Sequence, residues 1–236
     1  MYSYFDYSTV RDWQGFPTGI QRVVFELGEA LSEVCIPVVY LDESGWHRYS
    51  PKKKKVLDKL DIQSGIVYSL GSNWDFPGLN CALTSLSQRG VQVSLMVYDL
   101  IPSILPLSFG PGFPSIYEDW LKKALSYAGH LYCISKNTKK DLMVFMHDRD
   151  IVFNNISVVR LGDSTMPNKS VLHDLKLINT PYFVSVGSIE YRKNHILLLN
   201  AYRYIIDVVG LEPPQLVLAG RKGWLDHDIE YQVKND

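Results

Sequence analysis

Residues 182–195 read YFVSVGSIEYRKNH, and this stretch decides the fold of the C-terminal part of the chain. The largely apolar run 182–186 predicts a buried strand, and Gly187 predicts a turn directly after it. From Ile196 onward, apolar residues recur at helical spacing. A strand, a glycine turn and a helix in this order are typical of a parallel α/β unit.

The same alternation runs through the preceding residues. Apolar segments predict strands at 36–41, 65–70, 91–98, 130–134 and 156–161, and helical spacing predicts helices at 20–34, 78–89, 115–127 and 137–146. Apolar strands separated by helices indicate a parallel sheet that is covered on both faces. The aromatic segment 2–7 predicts an edge strand, and residues 100–114, with four prolines and two glycines, predict a long irregular loop.

A polar stretch, residues 163–180, interrupts this alternation and predicts an interdomain linker. Residues 1–162 then predict one complete Rossmann-like domain, and residues 181–236 predict the beginning of a second. This second part offers strands at 182–186 and 215–219, whereas a doubly wound domain usually has about five or six. We therefore expect the sequence to end within its second domain.

Composition narrows the class of protein. The 236 residues carry a net charge of −1, which argues against a nucleic-acid partner. Three cysteines, Cys35, Cys81 and Cys133, form no CxxC pair, so we predict neither a disulfide framework nor a metal site.

No apolar run approaches the roughly 20 residues of a membrane span, and the N-terminus lacks the features of a signal peptide. We expect a cytoplasmic protein.

The turn after residues 182–186 carries a basic pair, Arg192 and Lys193, where a helix is predicted to begin. The free N–H groups and the positive dipole end of a helix N-terminus favour anions, and basic side chains add charge-assisted hydrogen bonds. A phosphate-binding turn is therefore one interpretation. A basic loop closed by a capping asparagine is the other, and the residues alone leave both open.

Two segments of the C-terminal part carry a family resemblance. The runs VGSIEYRKNHILLLNAY (186–202) and PQLVLAGRKGW (214–224) resemble the opening of the second domain in GT-B glycosyltransferases of family 4, also called group 1. Tyr191 stands where that family commonly has proline.

Three segments of the N-terminal part agree with this resemblance. TGIQRVV (18–24) resembles the family's glycine loop, VYDLIP (97–102) resembles a segment of its bacterial mannosyltransferase-like members, and ISKNTKKDL (134–142) resembles its strand-to-helix turn. The likeness spans most of residues 1–225 and implies an α/β fold of GT-B type.

The resemblance implies a retaining glycosyltransferase of polysaccharide or lipopolysaccharide biosynthesis. Such an enzyme would move a hexose, for example mannose, from a GDP- or UDP-linked donor to a glycan or polyprenyl-linked acceptor, with no cofactor. The donor diphosphate would contact six residues of the two glycine turns: Gly187, Ser188, Arg192, Lys193, Arg221 and Lys222. Ser188 stands where some relatives have an arginine.

The resemblance also implies an acceptor side in the first domain. Asp99 is the candidate catalytic residue, and the loops there would contribute Thr18, Gly19, Arg22, Tyr98 and Ser135. Ordinary structural roles remain open for four of these residues: a loop cap for Asp99, a helix N-cap for Ser135, close packing for Gly19 and a solvent-exposed position for Arg22.

The lysine run Lys52, Lys53, Lys54 and Lys55 has two interpretations. It either contacts an anionic lipid or a polyprenyl phosphate, which would place the protein at the membrane surface, or it is a solvated loop.

Relatives also carry two glutamates eight positions apart, deeper in the second domain, which do not occur after Trp224 here. We therefore expect the chain alone to lack transferase activity. Alternatives are a non-catalytic truncated remnant, a carbohydrate-binding module or another two-domain α/β enzyme, although no G-x-G-x-x-G follows a strand.

Overall fold

The structure, a computed structural model, describes residues 2–15, 17, 19–162 and 180–235. Contacts divide the chain into two compact units: unit 1 comprises Met1–Ile104 and Ser115–Gly162, and unit 2 comprises Leu105–Pro114 and Asp163–Asp236. The predicted linker at 163–180 lies, apart from its last residue, outside the described residues. The predicted division into two domains and a linker stays a prediction.

Unit 1 is built on an eight-stranded sheet with the order β4-β3-β2-β1-β5-β6-β7-β8. The strands are β1 (Ser3–Asp6), β2 (Ile36–Leu41), β3 (Gly45–Ser50), β4 (Lys55–Lys59), β5 (Ile66–Ser69), β6 (Gln92–Val97), β7 (His130–Cys133) and β8 (Ile156–Val158). Neighbours from β2 to β8 pair in parallel, and β3 and β4 add an antiparallel hairpin beside β2. The predicted α/β fold with a Rossmann-like sheet is confirmed.

Helices flank this sheet and bury two apolar cores. They are α1 (Ile20–Ala30), α2 (Pro77–Gln88), α3 (Ile101–Ile104), α4 (Phe113–Tyr127) and α5 (Lys136–His147). Successive residues of β6 enter different cores: Leu95 packs with Leu83 of α2 and Leu121 of α4, whereas Met96 packs with Val24 of α1. The sheet is therefore covered on both faces, as its apolar strands predict.

The position of β1 corrects one expectation. The predicted edge strand at 2–7 is wrong, because β1 pairs with β2 on one side and with β5 on the other. Tyr4 and Phe5 are both buried and enter different cores, so the aromatic run serves two-sided burial in an interior strand. Cys35 and Cys133 are buried, as expected from their apolar surroundings.

Unit 2 contains a two-stranded parallel sheet of β9 (Tyr182–Val186) and β10 (Gln215–Ala219). Between them runs α6 (His195–Tyr204), which ends in a wider turn at Ile205–Val209, and α7 (His227–Asn235) follows β10. Trp224 packs against Phe109 and Phe113, with ring centroids 6.3 and 5.5 Å apart. None of the described helices combines the length and apolar character that a membrane crossing requires.

Candidate functional site

The turns that follow β9 and β10 are hydrogen-bonded to each other. Gly187 N–H donates to Ala219 O at 2.9 Å, Ile189 N–H donates to Arg221 O at 2.7 Å, and Gly223 N–H donates to Ile189 O at 2.9 Å. These bonds join the two turns into one surface at the carboxyl ends of β9 and β10. We call residues 187–194 and 220–224 the paired turns. Ligands of open parallel sheets bind at this end of the strands.

Glycine is required where the paired turns meet. A Cβ on Gly220 would lie 1.7 Å from Gly187 O, so any side chain there would push the two turns apart. Gly187 has a φ of +149° and lies beneath Lys193, whose Cε would be 3.9 Å from a Cβ on this glycine. The aliphatic part of Lys193 therefore passes over the Gly187 backbone.

Two of the four predicted diphosphate cations are already paired with acids. Arg192 Nε lies 2.7 Å from Oε1 of buried Glu190, an ion pair without an aligned hydrogen bond. Lys222 pairs with Glu230, and this hydrogen bond raises the pKa of Lys222. These partners reduce the positive charge that Arg192 and Lys222 offer to a ligand.

The other two cations remain available on the surface. Lys193 and Arg221 are exposed, and neither forms an ion pair with any of the residues that the structure describes. Ser188, also exposed, lies in the same turn as Lys193. The paired turns thus bring together Gly187, Ser188, Lys193 and Arg221, with the two cations exposed to solvent, and their contact with a diphosphate stays a prediction.

The N-terminus of α6 is not closed by a side chain. Asn194 is the N-cap residue and adopts a left-handed conformation with φ of 54°, but its side chain makes no capping hydrogen bond. The interpretation as a loop closed by a capping asparagine is therefore wrong, since the capping hydrogen bond is missing. Leu197 N–H donates to the Asn194 carbonyl at 3.1 Å, and the N–H groups of His195 and Ile196 have no backbone acceptor among the described residues. His195 is buried, as a packing residue would be.

Asp99 lies between the end of β6 and the start of α3. Its Oδ1 accepts a hydrogen bond from Ile101 N–H at 3.0 Å, and its carbonyl oxygen accepts one from the Tyr117 hydroxyl at 2.5 Å. The side chain is nevertheless exposed. Asp99 therefore has the loop-capping role that the sequence left open, and its catalytic role stays a prediction.

Tyr98 and Ser135 are held in a hydrogen-bonded cluster where β6 and β7 end. The buried Tyr98 hydroxyl donates to Leu70 O at 2.6 Å, and burial raises the pKa of Tyr98 well above its ordinary value. Ser135 is the N-cap of α5, since its Oγ accepts from Thr138 N–H at 3.0 Å. Thr138 in turn donates to the Tyr98 carbonyl at 3.1 Å. The predicted ligand contacts of Tyr98 and Ser135 are untested.

The loop before α1 holds the remaining predicted residues. Gly19 has a φ of +54°, and no described residue lies within 4 Å of a Cβ added to it, so its backbone conformation rather than close packing favours glycine. Arg22 and Glu26 form an exposed pair with Nε and Oε1 3.9 Å apart. Thr18 lies outside the described residues.

Sequence reasoning missed Asp6, a buried carboxylate at the end of β1. Its two oxygens accept hydrogen bonds from Ser8 N–H at 2.8 Å and from the Ser69 hydroxyl at 2.6 Å, and the Ser8 hydroxyl is a third donor. Ser8 Oγ in turn accepts from Tyr40 N–H at 2.7 Å, so the network joins the ends of β1, β2 and β5. Burial raises the pKa of Asp6, although these hydrogen bonds oppose the shift. The signal that could have identified this residue in the sequence is the presence of an acidic residue within the aromatic segment 2–7.

Comparison with known proteins gives a distant relationship. No protein-family model matches the chain. Two Escherichia coli proteins, each described as the serotype-specific mannosyltransferase WbdA, are 24% identical to it over 162 residues. The alignments cover 63% of this chain and 20% or 19% of the relatives, so the chain spans about a fifth of their length. This similarity supports a glycosyltransferase-like function.

Proposed function

We propose that the protein containing this chain is a retaining glycosyltransferase of GT-B type in polysaccharide biosynthesis. It would transfer a hexose such as mannose from a GDP- or UDP-linked donor to a glycan or lipid-linked acceptor. One observation carries the proposal: Lys193 lies over Gly187 without an acidic partner among the described residues, beside the uncapped N-terminus of α6. The distant similarity to mannosyltransferases supports the choice of reaction class.

The chemistry assigned to the paired turns is stabilisation of a leaving group. When the bond between the sugar and the phosphate breaks, negative charge builds up on the nucleoside diphosphate. Lys193, Arg221 and the first N–H groups of α6 would be aimed at this charge before the reaction starts. One preorganised donor of this kind contributes on the order of 3 kcal/mol to lowering a barrier.

Within unit 1, the acceptor would bind at the carboxyl ends of the parallel strands. Exposed Asp99 after β6, Ser135 at the start of α5 and the Gly19 loop before α1 offer carboxylate, hydroxyl and backbone groups for sugar hydroxyls. The partial neutralisation of Arg192 by Glu190 leaves Lys193 and Arg221 as the main donor-side cations of the proposal.

A thermal-shift screen tests the donor side. We expect GDP, UDP and their sugars to raise the melting temperature of the chain, since a ligand that binds only the folded state stabilises it. Lys193→Ala should remove this shift. Lys234→Ala, which removes one exposed positive charge from α7, is the matched control and should preserve it.

Two results of this screen would count against a glycosyltransferase. Equal shifts in wild type and Lys193→Ala would mean that the nucleotide binds elsewhere. Stabilisation by oligosaccharides with none by any nucleotide would favour a carbohydrate-binding module instead.

A further inference from the structure

A cavity that is remote in sequence from the paired turns lies within unit 1. Its volume is about 510 Å³, and it is lined by residues of α1, the start of β2 and the β3–β4 hairpin. The proposed transfer chemistry uses none of its lining residues. Its walls are mainly apolar and aromatic, with contributions from Tyr7, Phe25, Pro37, Tyr49 and Leu57.

The position of the Tyr7 ring in this wall depends on a glycine. A Cβ on Gly28 of α1 would lie 2.0 Å from the Tyr7 hydroxyl, so this position leaves room only for a hydrogen atom. Burial raises the pKa of Tyr7 to about 12, with a smaller contribution from Glu29. The tyrosine therefore stays neutral at physiological pH, and the interior of the cavity suits a hydrocarbon chain.

The lysine run lies next to the cavity in the chain. We call Lys52, Lys53, Lys54 and Lys55 the lysine turn, which follows β3 and ends in the first residue of β4; its first member, Lys52, lines the cavity. All four side chains are exposed, and Lys54 Nζ donates to the Trp13 carbonyl at 3.3 Å, tying the turn to the neighbouring loop. Glu29 is the one carboxylate among the lining residues. The lining therefore carries one charge of each sign, and the excess of positive charge beside the cavity comes from Lys53, Lys54 and Lys55, which follow Lys52 directly in the chain.

We propose that this cavity binds the hydrocarbon chain of a lipid phosphate, with its phosphate at the lysine turn. An inorganic anion would leave the apolar walls without a partner, and a neutral hydrocarbon would leave the lysines without one. A single-chain amphiphile with an anionic end satisfies both parts. Naming it as the lipid end of the acceptor rests on the proposed function, whereas the binding itself does not.

Calorimetric titration with farnesyl monophosphate below its micelle concentration tests this site. We expect saturable binding to the wild-type chain, and binding weaker by about tenfold or more for both farnesol and inorganic phosphate, which each lack one half of the ligand. Binding of farnesol as tight as that of farnesyl monophosphate would overturn the proposal, as would an absence of binding.

Two variants locate the binding. Ser32→Trp places a bulky ring at the cavity from an exposed turn position just after α1, and the double variant Lys52→Glu with Lys53→Glu reverses the charge of the lysine turn. Each should weaken binding by about tenfold or more. Lys122→Glu with Lys123→Glu on α4 makes the same charge change away from the cavity and should bind like the wild type. Unchanged affinity in Ser32→Trp would refute the location.

The same titration separates this site from the donor site. Lys193→Ala should bind farnesyl monophosphate with wild-type affinity while it loses nucleotide binding. Intact lipid-phosphate binding in a chain that ignores nucleotides would contradict the proposed function alone.

Discussion

The buried acidic side chains of the two units are stabilised by different kinds of partner. Asp6 in unit 1 accepts hydrogen bonds from neutral donors, Ser8 and Ser69. Glu190 in unit 2 is paired with a cation, Arg192, at 2.7 Å. Because a buried charge without a partner is strongly unfavourable, both partners matter for folding. The exposed Lys193 pairs with no buried acid among the described residues, so its charge is available to a ligand.

Asp6→Asn tests the network in unit 1. Two oxygens of Asp6 accept hydrogen bonds from three donors, whereas the NH2 group of asparagine cannot accept one, so we expect a loss of about 1–2 kcal/mol in the free energy of unfolding at acidic pH. Since burial raises the pKa of Asp6 above its ordinary value of 3.8, the folded state holds the proton more tightly than the unfolded state. The stability that Asp6 contributes is therefore present at low pH and is lost as pH rises through its folded-state pKa.

The difference in the free energy of unfolding between wild type and Asp6→Asn should accordingly shrink as pH rises above the ordinary pKa of 3.8. Urea titrations at several pH values measure it. A difference that widens as pH rises would show that the hydrogen bonds outweigh burial and that the pKa is lowered.

Arg192→Ala and Lys193→Ala, neighbours in one turn, should behave differently. Removing Arg192 leaves Glu190 buried without its cation, and we expect a loss of about 2 kcal/mol in the free energy of unfolding. Lys193→Ala should change it by less than about 0.5 kcal/mol. The double variant Arg192→Ala with Glu190→Gln should recover part of the lost free energy of unfolding, because it removes the unpaired buried charge. Urea titrations of the three variants measure these differences. Equal losses in the two single variants would contradict the separation of structural and ligand-binding cations.

At the scale of elements, the paired turns depend on close backbone approach. Gly220→Ala would place a methyl group 1.7 Å from Gly187 O and should destabilise unit 2 by roughly 2 kcal/mol or more. Gly162→Ala is the matched control, because none of the residues that the structure describes lies within 4 Å of its added Cβ. Circular dichroism melting compares the two, and a wild-type melting temperature in Gly220→Ala would show that the turns are not in contact.

Strands and helices with a continuous apolar pattern could be predicted from the sequence, down to both ends of β9 and β10. The β3–β4 hairpin could not, since β4 is mostly exposed and follows the lysine turn, so it lacks the alternation that marks a half-buried strand. The interior position of β1 depends on strand order, which local spacing does not encode. For the candidate site, residue types predicted the basic turn, but the pairing of Arg192 and Lys222 with acids depends on side-chain contacts that only the fold defines.

For the whole molecule, the exposed apolar surface of unit 2 has a consequence for solution behaviour. Four residues of β9 are about half or more exposed, Val186 most of all at 81%, and within the described residues β9 pairs with β10 alone. A strand with an unpaired edge and apolar side chains is prone to association. We expect the isolated chain to self-associate with rising concentration in sedimentation velocity and to bind a hydrophobic dye. A monodisperse chain without dye binding would show that this surface is covered.

Lys193 is proposed to contact the terminal phosphate of a nucleoside diphosphate at the paired turns. Calorimetric titration of wild type and Lys193→Ala with GDP and GMP, and with UDP and UMP, tests this contact. It compares the effect of the substitution on the affinity for each diphosphate with its effect on the affinity for the corresponding monophosphate. We predict that the substitution weakens the preferred diphosphate by about tenfold and its monophosphate much less. An equal loss of affinity for the diphosphate and the monophosphate, or no loss for either, would contradict a contact between Lys193 and the terminal phosphate.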